Sequence, residues 1–241
     1  MRLGLALFSF LIVVLAATSA RTETLVFATG EWRPYTSEDM EDLGDFTRLV
    51  SLVVAEMGYE AEFVFYPWPR CYDAVIKGRV WAAFPYSYTE GRAQEVWYSD
   101  PMDVSRSLLF AYEPQGQERD VEFETLEDLA GYRVGGVHGY FYQEMFEQAG
   151  LEVDYVNSEI QGMEKLMHGR IDLFPVNDKV GWDIISTNFP EEADNFHTLA
   201  KPLSENELMI IVSRAFPDSA RLLEEFNAAL QRCRDKGLIP E

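Results

Sequence analysis

Residues 72–85 read YDAVIKGRVWAAFP, and residues 163–175 read MEKLMHGRIDLFP. Each stretch predicts a helix, a Gly-Arg turn, an apolar strand and then a proline. A strand that follows a helix in this way delivers its end to the carboxyl edge of a parallel sheet, where open α/β folds bind ligands. Two such units favour two similar lobes that share one cleft, with chance similarity as the alternative.

Around these two units, strand-like and helix-like segments alternate along the chain, which is typical of an α/β architecture. Strands are predicted at residues 24–29, 59–66, 80–84, 107–112, 132–137, 152–156, 171–176 and 207–213. Helical segments are predicted at residues 46–57, 71–77, 126–129, 141–148, 160–167, 180–186 and 220–236.

The first 20 residues have the pattern of a cleavable secretory signal peptide. Arg2 supplies a positive start, an apolar run follows over residues 3–17, and residues 18–20 (TSA) are small enough for a signal peptidase. The apolar run is short for a bilayer span, so a membrane anchor is the weaker alternative. We therefore predict cleavage after residue 20 and a periplasmic protein.

The charge of the chain is strongly negative. It contains 20 Lys and Arg residues and 41 Asp and Glu residues, which gives a formal net charge of −21. Nucleic acids and anionic lipids bind through Lys and Arg, so we expect no nucleic-acid partner. The surplus of acid either attracts cationic solutes or keeps the protein soluble, and we favour solubility.

The histidines and cysteines predict no metal site and no cofactor. His138, His168 and His197 are scattered without the spacing of metal ligands. GxSxG, HExxH and P-loop motifs do not occur. In an exported protein the pair Cys71 and Cys233 favours a disulfide over a metal site or a nucleophile.

Two short blocks carry a resemblance to a known family: SYTEGR at residues 87–92 and WYSDP at residues 97–101. With the helix-Gly-Arg-strand unit before them, they resemble the family 3 extracellular solute-binding proteins, the periplasmic receptors of polar amino acid ABC importers. Weaker similarity covers nearly all of the chain after the leader, through TLVFATGEWRPY, LEDLAGYRVGGVHG and FNAALQRCRDKG.

The resemblance implies a type II periplasmic binding protein fold, in which two crossover strands join two α/β lobes with the ligand cleft between them. Lobe 1 takes residues 21–110 and 212–241, and lobe 2 takes residues 111–211. Closure of the lobes around the ligand is the signal that a membrane permease reads, and we expect a monomer. Because Cys71 and Cys233 both fall in lobe 1, a disulfide between them is compatible with this division.

The resemblance also implies ligand-binding residues in lobe 1. Arg92 matches the arginine that binds the α-carboxylate of the ligand, through two parallel charge-assisted hydrogen bonds. Ser87 matches a ligand-contacting serine, and Trp32 matches an aromatic residue that stacks on the ligand. Trp68 and Tyr86 either help to line the same pocket or belong to the core.

In lobe 2 the sequence departs from the family pattern. A Gly-Tyr step ending at Tyr140 replaces the Gly-Thr step that family members present at a helix N-terminus. Asn177 replaces the aspartate that holds the ammonium group of an amino acid, and Asp178 follows it. Either Asp178 takes over this role, or the ligand is not an ordinary amino acid.

These residues predict a binding protein, not an enzyme, for a small polar solute that bears a carboxylate and is passed to the permease of an ABC importer. One alternative is a periplasmic dehydratase-like enzyme on the same fold, with Glu31, Glu90 or Asp178 as its general acid. The other alternative is a sensory protein that presents its ligand to a receptor, because the same lobes serve both roles.

Overall fold

A computed structural model of the chain describes residues 23–114 and 121–239. The predicted signal peptide, residues 1–20, lies outside the described residues. Within those two ranges, no helix combines the length and the apolar character needed to cross a membrane.

Three parallel strands and the two helices that connect them begin the first lobe. These elements are β1 (Thr24–Thr29), α1 (Asp45–Met57), β2 (Glu60–Phe65), α2 (Trp68–Ile76) and β3 (Ala82–Tyr86). Strand β1 lies in the middle and pairs in parallel with both β2 and β3. The carboxyl ends of the three strands therefore meet at one edge of the sheet.

The alternating side chains of β1 determine how this lobe is layered. Leu25 and Phe27 point to one face of the sheet, whereas Ala28 points to the other, because successive strand residues face opposite sides. Helix α1 and the closing helix α7 (Ser219–Asp235) cover the first face, and α2 covers the second. The first lobe thus has an apolar core on each side of its sheet.

Two long antiparallel strands, β5 (Asp103–Tyr112) and β10 (Ser204–Ser213), run between the lobes. Their first halves pair with each other, beginning at Ser107 opposite Ser204. Further along, β5 pairs with strands of the second lobe, whereas β10 pairs with β3 and with the short strand β4 (Val96–Tyr98). Each strand therefore ends in the core of a different lobe.

The second lobe repeats the strand-helix series on a smaller scale. After a 3₁₀ turn (Leu126–Gly131), its elements are β6 (Val134–Val137), α4 (Tyr142–Gln148), β7 (Val153–Val156), α5 (Glu159–Met167), β8 (Phe174–Asn177), α6 (Asp178–Asn188), a second 3₁₀ turn (Pro190–Asn195) and β9 (Phe196–Thr198). Strands β6 and β7 are parallel, and β8 pairs antiparallel with β5. Gly162 of α5 leaves room for the ring of Phe174, which packs where a side chain would otherwise lie.

The predicted helices and strands are present, with ends that differ by a few residues. The sequence missed β4, β9 and the four-residue helix α3 (Glu90–Ala93), because three or four residues are too few to show a period. It also missed residues 103–106 of β5 and residues 204–206 of β10, where several side chains are exposed and none is buried.

The Cys71–Cys233 disulfide, which the sequence left open, is not formed. Both cysteines are free and buried. The Cys71 thiol donates to the Thr29 carbonyl at 3.2 Å, in the core under α2. Cys233 lies on α7, in the core on the other face of the sheet. A common lobe was not sufficient for pairing, because the sheet separates its two cores.

We expect protein purified from the periplasm to contain two free thiols. Burial raises the pKa of both, so they stay protonated and react poorly. Intact mass spectrometry should show alkylation by iodoacetamide after denaturation and almost none before it, and a reductant should leave Tm unchanged. A native mass lower by two hydrogen atoms would contradict the structure.

Candidate ligand-binding site

A cavity of about 350 Å³ opens in the first lobe at the edge where β1, β2 and β3 end. Six residues line it: Trp32, Trp68, Pro85, Tyr86, Ser87 and Arg92. Trp32 follows β1, and Trp68 begins α2 just after β2. The other four residues lie at or beyond the end of β3. The cavity therefore brings together five of the eight residues predicted to bind the ligand.

The Arg92 guanidinium is held by the backbone and by an aromatic ring. Thr89 caps the short helix α3 by accepting a hydrogen bond from the backbone N–H of Arg92 at 3.2 Å. Arg92 Nη1 donates to the Ser87 carbonyl at 3.1 Å, and Cζ lies 5.2 Å from the centre of the Tyr86 ring. In the part of the chain that the structure describes, no carboxylate lies within 4.0 Å of this guanidinium. Its positive charge is thus suited to an anionic ligand.

Ser87 lies beside Arg92 at the end of β3. Its carbonyl accepts the hydrogen bond from Arg92, and its side chain is half-buried. Among residues 23–114 and 121–239, no hydrogen-bond partner is found for its hydroxyl. This hydroxyl can therefore donate to a ligand that pairs with Arg92.

Three aromatic side chains give the cavity apolar walls. Trp32 stacks on the fully buried Tyr35, with 4.3 Å between ring centroids. Trp68 meets Tyr86 edge to face at 5.7 Å. Gly30 allows the Trp68 indole to approach the backbone, because a Cβ at this position would lie 2.7 Å from the ring. These contacts orient the rings without any ligand.

The predicted second-lobe residues do not line this cavity. Tyr140 is 41% exposed just before α4, and its hydroxyl donates a short hydrogen bond to the Glu159 carboxylate. Burial and this hydrogen bond raise the pKa of Tyr140, so its hydroxyl stays protonated. Asp178 lines a different, open cavity of about 790 Å³, to which Asp103 and Lys179 also belong.

Asn177 makes structural hydrogen bonds at the junction of the lobes. Its side-chain oxygen accepts from the Val180 N–H at 3.1 Å and caps α6. Its Nδ2 donates to Tyr35 Oη at 3.2 Å and to Ser105 Oγ at 2.8 Å. Tyr35 belongs to the first lobe and Ser105 to the crossover strand β5, so the Asn177 side chain links both lobes.

None of the carboxylates predicted as a general acid lines the cavity. Glu31 is exposed, and its side chain accepts a hydrogen bond from the Glu38 N–H at 2.8 Å. Glu90 is exposed in the first turn of α3. Asp178 accepts from the backbone N–H of Lys179 at 2.6 Å. The geometry suits binding better than proton transfer.

Known proteins share this architecture. The sequence profile of the bacterial extracellular solute-binding proteins, family 3, matches residues 26–241. The chain belongs to this family. Its members are extracellular or periplasmic and mainly bind solutes instead of transforming them. A search of curated proteins finds no match.

Solved structures with the two-lobed type II fold resemble this solute-binding protein. A histidine kinase sensor domain is 23% identical, with a TM-score of 0.64 over 90% of this chain and 93% of its own. An ancestral arginine-binding protein bound to arginine is 22% identical, with a TM-score of 0.62 over 89% and 93%. The second substrate-binding domain assigned to an amino acid ABC transporter of Streptococcus pneumoniae is 20% identical, with a TM-score of 0.68 over 88% and 94%. At these identities the likeness shows the fold alone.

Sequence reasoning missed the contacts at the junction of the two lobes of this solute-binding protein. Lys179 Nζ binds Asp103 Oδ2 at 2.6 Å and lies 4.9 Å from the centre of the Tyr35 ring. Tyr35 in turn accepts the hydrogen bond from Asn177, 142 positions further along the chain. A local pattern carries no signal for a contact over that separation.

We expect Asn177→Ala to lower the free energy of unfolding by roughly 2–4 kcal/mol. Loss of the α6 cap accounts for about 1 kcal/mol, and loss of the two hydrogen bonds to Tyr35 and Ser105 accounts for about 1–3 kcal/mol. Urea denaturation measures the change. Ser158→Ala is the matched control, because Ser158 caps α5 without an inter-lobe contact and should cost about 1 kcal/mol. Equal effects of the two variants would contradict a hinge role for Asn177.

Proposed function

We propose that this solute-binding protein captures a small polar solute that bears a carboxylate and delivers it to the membrane permease of an ABC importer. One observation carries the proposal. The Arg92 guanidinium lies at an aromatic-walled cavity and, among the described residues, has no carboxylate partner. A planar guanidinium binds a carboxylate through two parallel hydrogen bonds, which gives both affinity and orientation.

Capture requires the second lobe to close over this cavity. We keep the division into lobe 1 at residues 21–110 and 212–241 and lobe 2 at residues 111–211. The chain changes its pairing partners within a few residues of these boundaries: β5 begins to pair with β8 at Ser107, and β10 begins to pair with β3 at Met209. A rotation about these two strands is the hinge closure that a permease would recognise.

Tyr140 is the second-lobe residue that we propose to meet the ligand after closure. Its exposed ring lies just ahead of α4 and can pack against the ligand, while its hydroxyl keeps the hydrogen bond to Glu159. The hydrogen bonds of Asn177 and the position of Asp178 in another cavity argue against direct ligand contacts by these two residues.

We infer a periplasmic, monomeric protein without a cofactor. The predicted leader at residues 1–20 supports export, and the family is extracellular or periplasmic. The partners proposed are a small solute and a membrane permease.

A sensory role is the second candidate. The likeness in fold to a histidine kinase sensor domain favours it, since that sensor domain has similarity to periplasmic binding proteins. Transport and sensing share the capture step, so the experiment below applies to both. A permease gene beside the gene for this protein would favour transport.

We expect one carboxylate-bearing solute to raise Tm in a thermal-shift screen, and Arg92→Ala to abolish the rise. The library holds amino acids, opines, polyamines and small carboxylates. A ligand at about 100 times its Kd adds about 2.7 kcal/mol to stability. For a protein of this size, this corresponds to a rise of roughly 5–10 °C.

Arg79→Ala is the matched control for this screen. Arg79 is an exposed arginine of the same lobe, paired with Asp73, and it precedes β3 whereas Arg92 follows it. The control should keep the full ligand-induced rise. A rise that persists in Arg92→Ala would refute the carboxylate site, and no rise with any carboxylate would refute the proposed solute class.

A further inference from the structure

The cavity combines a single positive charge with apolar walls. Of the six residues that line it, only Arg92 is ionised at neutral pH, and none is a carboxylate. A ligand carboxylate would be neutralised by Arg92. An ammonium group on the same ligand would need a counter-charge of its own, because an unpaired charge removed from water is costly.

The second-lobe residues that were predicted to bind the ligand make other contacts. Both N–H groups of the Asn177 amide are donated, to Tyr35 and to Ser105. Asp178 lines the other cavity. Glu159 accepts the hydrogen bond of Tyr140 and is not among the six residues that line the cavity.

The aromatic walls do not replace the missing acid. Aromatic faces attract cations, but the guanidinium of Arg92 already lies 5.2 Å from the centre of the Tyr86 ring. A second cation in a space of about 350 Å³ would be repelled by this guanidinium. One face of Trp32 is covered by Tyr35, and its remaining surface suits an apolar group.

We propose that the solute is a carboxylate with an apolar or aromatic body and no free ammonium group. The carboxylate pairs with Arg92 and accepts from the Ser87 hydroxyl, and the body packs against Trp32 and Trp68. This inference rests on the proposed function, since it assigns a ligand class to the same cavity.

Isothermal titration calorimetry on the protein purified from the periplasm tests the inference with ligands that differ by one group. 3-Phenylpropionate and L-phenylalanine differ by the α-ammonium, propionate lacks the ring, and 2-phenylethylamine lacks the carboxylate. We expect 3-phenylpropionate to bind about tenfold or more tightly than each of the other three. Arg92→Ala should remove this preference, and Arg79→Ala should keep it.

Tighter binding of L-phenylalanine, or equal binding of the two, would overturn the inference. If Arg92→Ala then abolished the binding of L-phenylalanine, the proposed function would stand while the ligand class fell. If Glu159→Gln weakened L-phenylalanine alone, Glu159 would be the ammonium partner and the inference would be refuted. If 3-phenylpropionate does not bind, the inference is overturned. If no carboxylate in the thermal-shift library raises Tm, the proposed function is overturned as well.

Discussion

The antiparallel pairing of β5 with β10 is the constraint on which the rest of the structure depends. These strands share backbone hydrogen bonds in their first halves and then diverge into the cores of different lobes. The same pair positions Ser105 beside Asn177 and Asp103 beside Lys179. The junction between the lobes is therefore a piece of ordinary sheet with polar side chains along it.

Much of the fold could be predicted because its elements are long and periodic. Strand β1 was predicted with its observed ends, and α1 within one residue, since buried positions recur at strand or helix spacing in both. The state of the two cysteines could not be predicted, because it depends on which face of the sheet each helix covers. Cys71 and Cys233 both lie on the buried side of a helix, and the sequence does not show that α2 and α7 pack on opposite faces of the sheet.

The clustering of the candidate residues of the first lobe could be predicted, and that of the second-lobe candidates much less. Five predicted residues meet because three neighbouring parallel strands bring their ends to one edge, so that sequence order determines proximity. In the second lobe, proximity depends on lobe orientation and on side-chain partners. Asn177 illustrates this: its place at the end of a strand was predicted, but its hydrogen bonds to Tyr35 and Ser105 were not.

A net charge of −21 and an anionic ligand are compatible because the two act over different distances. Repulsion between exposed charges is screened beyond about 8–10 Å at physiological ionic strength, whereas Arg92 would act at contact. Among the described residues no Asp or Glu is buried in the core, and Glu56 is half-buried where it pairs with Arg232 and Lys236. What matters for binding is that no acid is among the residues lining the cavity. A single carboxylate there would pair with Arg92 and occupy the place of the ligand, so an acidic surface needs a neutral cavity wall.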